Sequence, residues 1–317
     1  SSARMRTVVS LPWMDAMANS YKLKEMREKL EKLGKNLQNA QQNQKTGRPA
    51  VLADAEKLIS GDEAPESEVS AAINPTDSNN IVVSPIRSGG YTESLTVPIY
   101  YTKNFGTTWR KSTFTPPTGR EDVYVLGGGD PMIAFDANGV CYMSWIYLYA
   151  TLSGFQIDSV YNAILYAKSD DGGANWYVVN NAVVGKMITG SKYTPSMNMD
   201  TFYDKQWMDC DHSNSAYRNN LYISLVKMVT QPTSDAYIIS SVKKGGVSAF
   251  DPTQRRVSGE NFQTTQFAST AVDNAGKLHV GFYGVETNLT ALYHSVSTDG
   301  GMTFSTPNRV SYFSGVM

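Results

Sequence analysis

Asp130 and Asp204 are the residues whose type and context best suit chemistry. Asp130 lies in Gly127-Gly128-Gly129-Asp130-Pro131, and Asp204 in Tyr203-Asp204-Lys205-Gln206-Trp207. Both segments depart from plain strand composition, and each immediately precedes a strand-like run. Two carboxyl groups brought to one mouth could divide the acid and base roles of glycoside cleavage. Their oxygens could equally hold Ca2+, the one cofactor this pattern suggests. The competing reading gives each a local role: a turn cap, or for Asp204 an ion pair with the adjacent Lys205. Tyr203, Lys205 and Trp207 join them as candidate ligand contacts. Trp145, Tyr147, Tyr149 and Tyr193 offer further faces on which a sugar could stack, although most strand aromatics serve the core.

Other chemistries find less support. His212, His279 and His294 are scattered without zinc spacing. Nothing resembles Gly-x-Ser-x-Gly. Asn288-Leu289-Thr290 fits a glycosylation acceptor, a short pattern common by chance. Cys141 and Cys210 are the only cysteines and cannot build a disulfide framework. They read as buried thiols, with one bridge between neighbouring elements as the alternative. The 28 basic and 29 acidic side chains nearly cancel, so the basic excess that nucleic acid or an anionic membrane requires is missing. No apolar run reaches the ~18 residues of a membrane span.

The elements that must position these residues come in two regions. Residues 1–67 read as a helical leader and linker. Between 15 and 44 there is no proline, and Leu23, Met26, Leu30, Leu33 and Leu37 form one helical stripe. That stripe suits packing on a main domain or a contact with a partner. From 68 to 317 the period switches to two, with short strands between Gly/Asn/Asp turns. A hairpin recurs four times, with Asn74, Asp136, Asp211 and Asp273 at equivalent places, 62, 75 and 62 residues apart. A second motif follows each hairpin: a strand, a tight polar turn and an aromatic. Ser169-Asp170-Asp171-Gly172-Gly173-Ala174-Asn175-Trp176 and Ser297-Thr298-Asp299-Gly300-Gly301-Met302-Thr303-Phe304 are the clear copies. Asn104, Gly106 and Trp109 belong to a variant, and Ser241 to Gly246 form a degenerate copy. The chemistry of this turn is structural. Asp or Asn accepts nearby backbone N–H groups, glycine takes positive φ, and the aromatic is expected to pack into the core.

This turn resembles the Asp-box, or BNR repeat, Ser-x-Asp-x-Gly-x-Thr-Trp. With the hairpins, residues 68 to about 310 resemble the sialidase-like β-propellers. The resemblance implies an all-β fold of four-stranded blades, the first strand of each lining a central channel. Four blades can be counted, at about 68–116, 129–180, 204–256 and 267–310. Sialidase propellers have six blades, so these four are expected to be a small ring or part of a six- or seven-bladed one. The family's arginine clamp and Tyr–Glu pair are not found. Ser84-Pro85-Ile86-Arg87 has the wrong order, and Arg110, Arg120, Arg218, Arg255, Arg256 and Arg309 lie in turn-like contexts.

The Asp-box does not by itself choose a function. The expectation is a secreted or cell-surface propeller that binds a glycan or an extracellular protein without turnover. The alternatives are a glycoside hydrolase of the sialidase-like superfamily, with Asp130 and Asp204 as its carboxyls, and a structural subunit of an extracellular assembly that uses residues 15–44 as a contact. No n-region, apolar h-region and cleavage site begin the chain. A removed signal peptide, or numbering that starts inside a longer product, would account for this. The leader and Lys45-Thr46-Gly47-Arg48-Pro49 also resemble the N-terminal regions of large secreted bacterial propeller proteins.

Overall fold

Alternating residues and turn-forming Gly/Asn/Asp clusters produce antiparallel meanders in the computed structural model of this chain. It describes residues 58–60, 64–87, 96–114, 123–153, 156–189, 201–229, 235–286 and 289–312. The expected 15–44 helix, Arg120, Tyr193 and Asn288 lie outside the described residues. The chain divides into two units, Ser1–Leu58 and Ile59–Met317, and every strand below belongs to the second.

Four four-stranded sheets are present among the described residues, each an antiparallel meander in sequence order. The first comprises β1 (Glu66–Asn74), β2 (Asp77–Arg87), β3 (Tyr100–Thr102) and β4 (Arg110–Lys111). The second comprises β5 (Val123–Phe135), β6 (Cys141–Ser153), β7 (Gln156–Ser169) and β8 (Tyr177–Thr189). The third holds β9 (Phe202–Cys210), β10 (Leu221–Val229), β11 (Asp235–Lys243) and β12 (Arg255–Arg256). The fourth holds β13 (Thr264–Val272), β14 (Leu278–Glu286), β15 (Leu289–Ser297) and β16 (Asn308–Tyr312). The all-β, four-stranded blade architecture expected from the sequence is therefore observed. The first strands of successive blades pack on one another, β1 on β5, β5 on β9 and β9 on β13.

Burial follows the strand pattern. In β10, Leu221 to Val226 are all buried, because both faces of the third sheet are covered. In β14, buried Leu278, Val280 and Phe282 alternate with half-buried His279, Gly281 and Tyr283, so one face of the fourth sheet is better covered than the other. A core joins the first two sheets, with Val82, Ile99, Phe135, Met143 and Trp145 buried together. Phe114 meets Trp145 edge to face at 5.4 Å. Cys141 and Cys210 are buried free thiols, and burial pushes both well above the usual thiol range.

Side chains close the turns. Asp136 Oδ1 accepts from the N–H of Asn138 and Val140 at 2.9 and 3.0 Å, and Asp273 Oδ1 accepts from Ala275 and Lys277, both at 2.9 Å. In the second blade Ser169 Oγ donates to Asp171 Oδ1 at 2.8 Å and accepts from Gly173 N at 2.9 Å. Ser297, Asp299 and Gly301 repeat that pattern at 2.7 and 2.9 Å. Asn104 takes the aspartate's part in the first blade, where Thr102 Oγ1 donates to its Oδ1 at 2.8 Å and Gly106 N donates to Thr102 Oγ1 at 3.0 Å. The fourth copy lacks an acidic acceptor and closes through Val247 N to the Lys244 carbonyl. Trp176 packs into the core and donates Nε1–H to the Gly173 carbonyl at 2.9 Å, whereas Trp109 and Phe304 stay half-buried. These turns also fasten blade to blade: Asn80 Nδ2 of the first blade donates to the Gly172 carbonyl of the second at 2.8 Å.

Candidate functional site

The same irregularity interrupts the first strand of every blade. On β1, Glu68 and Val69 stand opposite the single residue Pro85. On β5, Asp130 and Pro131 stand opposite Trp145. On β9, Lys205 and Gln206 stand opposite Leu225. On β13, Phe267 and Ala268 stand opposite Phe282. Each is a two-for-one β-bulge. Its first residue has positive φ in all four blades: 48° at Glu68, 49° at Asp130, 48° at Lys205 and 57° at Phe267. Glycine is the residue that normally takes this place in such a bulge. A non-glycine residue there costs about 1–3 kcal/mol, and such strain gathers at functional sites.

The four bulges ring one cavity. Its volume is about 790 Å³, and all four first strands line it, with Glu68, Asp130, Lys205, Gln206, Trp207 and Phe267 among its walls. Lys205 Nζ lies 2.9 Å from Glu68 Oε2 and 3.2 Å from Asp130 Oδ1. The two carboxyl groups also influence each other's ionisation. Burial first, then the Glu68 hydrogen bond and the Asp204 charge, push Asp130 up to about 7 against the pull of Lys205. The hydrogen bond from Asp130, with help from Lys205, outweighs burial and holds Glu68 below the usual carboxylate range. Burial opposes the Lys205 charge, but Asp130 and Glu68 outweigh it and raise the ammonium's pKa. Below about pH 7 the cavity wall thus holds a protonated Asp130 beside the Glu68 carboxylate and the Lys205 ammonium.

Of the residues singled out from the sequence, Asp130, Lys205 and Trp207 line this cavity. Trp207 is 43% exposed. Asp204 is buried beside the bulge and does not line the cavity; burial raises its pKa. Tyr203 is also buried, its hydroxyl accepting from Gln254 Nε2 at 2.8 Å. Trp145 and Tyr147 belong to the core, and Tyr149 stacks on Tyr161 at 5.1 Å. A cation on Asp130 would have to displace the Lys205 ammonium, so Ca2+ fits this geometry poorly. Among the described residues no group of three or more His, Cys, Asp and Glu side chains is arranged to hold a metal ion. No arginine is among the described cavity-lining residues. Arg87 pairs with Glu66 at 2.6 Å, and Arg255 pairs with Asp251 at 3.0 Å.

Sequence reasoning missed Glu68, Gln206 and Phe267. A signal for the first and last was present. Glu68, Asp130, Lys205 and Phe267 each stand six residues before the polar residue of their hairpin, at Asn74, Asp136, Asp211 and Asp273. The bulge positions therefore repeat with the same 62, 75 and 62 spacing as those polar residues.

No protein-family model matches the chain, and no curated protein matches it. Solved structures do share its fold. A protein of unknown function from Dyadobacter fermentans is 12% identical, with a TM-score of 0.51, over 80% of this chain and 71% of that one. The α-L-arabinofuranosidase arb93a of Fusarium graminearum is 12% identical, with a TM-score of 0.53, over 78% of this chain and 67% of that one. The α-L-arabinanase of Penicillium chrysogenum, solved with arabinobiose, is 12% identical with a TM-score of 0.53, over 78% and 68% respectively. At such identities the likeness is one of fold. This chain shares the all-β propeller fold of these structures.

Proposed function

We propose that this chain is an exported Asp-box β-propeller that binds a glycan at the mouth of its central channel. The observation that carries the reading is the set of four equivalent bulges. They hold Glu68, Asp130, Lys205 and Phe267 in strained backbone around one cavity, and a fold has no need to strain four blades at one place for stability alone. The cluster offers donors and acceptors for sugar hydroxyls. Trp207 and Phe267, 43% and 61% exposed, offer rings for sugar faces. The hydrogen-bonded turns at Asp171 and Asp299 support the Asp-box assignment, and that assignment supports a secreted or cell-surface location. The absence of an arginine among the described lining residues turns the reading away from sialic acid.

Binding is favoured over turnover because both carboxyls are engaged by one ammonium: Lys205 Nζ lies 2.9 Å from Glu68 Oε2 and 3.2 Å from Asp130 Oδ1, whereas glycosidases keep their two carboxyls free to flank the scissile bond. Hydrolysis is the second reading because Asp130 keeps its proton to about 7 while Glu68 is ionised, the division that acid and base roles require. A glycan-array survey of the intact chain, with arabino-oligosaccharides included, tests binding. Capture of no glycan on the array overturns it. Release of reducing sugar from a bound glycan, abolished in Asp130→Asn, would convert the reading to a hydrolase.

A further inference from the structure

The fourth blade carries a group of side chains outside the channel wall, Asp273, His279 and His294. His279 stands on β14 and His294 on β15, 15 residues apart in the chain and brought together by the pairing of these strands. Both belong to the less covered face of the fourth sheet, and the His279 side chain is 34% exposed. His279 Nδ1 lies 2.9 Å from His294 Nε2, with the two rings only 17° from coplanar. His279 Nε2 lies 3.2 Å from Asp273 Oδ2. Asp273 is itself fixed, since its Oδ1 accepts from the N–H groups of Lys277 and Ala275. The Lys277 bond first, then the one from His279, hold its carboxyl below the usual carboxylate range. Ionised Asp273 therefore accepts from His279 Nε2–H, and the lone pair of neutral His279 is left on Nδ1, facing His294. Burial first, then the charge of His279, push His294 below the usual imidazole range, so that this ring keeps its lone pair near neutral pH.

Two imidazole nitrogens at this spacing, with a carboxylate behind one of them, make a ligand set. Nitrogens about 2.0–2.1 Å from one ion and at right angles to each other stand about 2.9 Å apart. A carboxylate on the far ring nitrogen orients a metal-binding histidine and raises its basicity. Gly281 pairs with His294 across the two strands. A Cβ built on Gly281 would meet, beyond its chain neighbours, only the Tyr293 carbonyl at 4.0 Å. The place beside His294 is therefore open, and both rings have room to turn their lone pairs toward one ion. We infer that His279 and His294 bind a divalent cation of the Cu2+ or Ni2+ kind, with Asp273 as the positioning residue. Right-angled nitrogen ligands suit the tetragonal geometry of these ions better than the tetrahedron of Zn2+. The two imidazoles are the whole protein contribution, in keeping with the lack of any group of three or more ligating side chains among the described residues, and water fills the remaining positions. As the ion enters, His294 gives up its proton at Nε2 and takes one at Nδ1, so its net charge is unchanged. The ion staples β14 to β15 on the face that the meander leaves less covered.

Titration of the intact chain with Cu2+ near neutral pH, followed by calorimetry and by electron paramagnetic resonance, tests this. The expected result is one ion per chain whose spectrum shows coupling to two imidazole nitrogens. The double variant His279→Gln, His294→Gln should lose that spectrum and bind Cu2+ at least tenfold more weakly. Asp273→Asn should keep both nitrogens and bind about tenfold more weakly. Saturating Cu2+ should also raise the urea midpoint of the wild-type chain and leave that of the double variant where it was. Equal binding by the wild-type chain and the double variant, which an ion held elsewhere on the chain would give, overturns the inference, and so does the absence of binding. Should a variant lose its folded circular-dichroism spectrum, the wild-type resonance spectrum decides alone, and fewer than two imidazole nitrogens overturns the inference. None of these readouts involves the channel, so this site and glycan binding stand or fall separately.

Discussion

Replacing Asp130 with asparagine should make the propeller relatively more stable as the pH rises, because of where the Asp130 proton sits. Its carboxyl is 13% exposed and holds its proton to about 7, against an ordinary 3.8. Between those values the folded chain carries a proton that the unfolded chain has released. The folded state binds more protons, so stability falls as pH rises and levels off above the folded value. Each unit of that interval is worth about 1.4 kcal/mol, so the stretch from about pH 5.5 to 7 costs the folded state about 2 kcal/mol. Glu68 shifts downward, so it is ionised in both states over this stretch and adds no slope. Asparagine keeps the shape and the hydrogen-bonding edge but cannot titrate. Urea denaturation followed by tryptophan fluorescence, at about pH 5.5 and 8.5, reads the effect. The stability of Asp130→Asn relative to wild type should rise by about 2 kcal/mol between the two conditions. Parallel behaviour of the two proteins would refute a proton held by Asp130.

The turns yield two further expectations. A Cβ on Gly173, at φ +95°, would lie 2.6 Å from Val82 Cγ2. Gly173→Ala should therefore cost about 2–3 kcal/mol through strain and a blade-to-blade clash, read as a lower urea midpoint at unchanged slope. For Asp299, burial opposes ionisation, but hydrogen bonds from Thr303, Ser297 and Met302 outweigh it and hold the carboxyl at about 2. Its contribution is present above the ordinary 3.8 and is lost as pH falls through about 2. Asp299→Ala should cost about 1 kcal/mol near neutrality and much less in acid, and equal costs at both pH values would contradict the turn's ionic hydrogen bonding.

The sequence displayed the fold more openly than the site. Period-two strands, the Asp136 and Asp273 hairpins and the Ser169 and Ser297 turns announce blades, because each is a local pattern with a local physical cause. Asp130 stood out through its glycines and Lys205 through its neighbours. Asp204 was paired with Asp130 because each immediately precedes a strand-like run. A bulge adds a residue, and a one-residue slip moves every side chain beyond it to the other face. The β9 bulge therefore gives the channel to Lys205 and Gln206 and turns Asp204 inward. Glu68 and Phe267 carry no unusual composition around them, and only counting six residues back from each hairpin reveals their shared place. The place of Gln206 had no signature, since it arises from a contact between β9 and the Asp130 backbone, 76 residues apart.

Phe267 separates function from stability at this mouth. Its φ of 57° places a bulky side chain in a backbone region that costs an L-residue about 1–2 kcal/mol. Its ring is 61% exposed, so little buried area offsets that strain. Glycine would relieve the strain, and the greater freedom of its unfolded chain would take back about 0.5–1 kcal/mol. The two effects nearly cancel, and Phe267→Gly should leave stability within about 1 kcal/mol of wild type despite the loss of a whole aromatic ring. An exposed aromatic at such a position, without a stabilising return, is the expected signature of a proposed contact in the cavity rather than of packing. If the proposed glycan binding holds, the same variant should lose affinity for that glycan by about 1–3 kcal/mol, the scale of an aromatic stacking face. A loss of more than about 2 kcal/mol in stability would show the ring to be part of the fold instead. Unchanged affinity in a stable Phe267→Gly would remove the fourth blade from the binding surface and leave the site to Glu68, Asp130, Lys205 and Trp207.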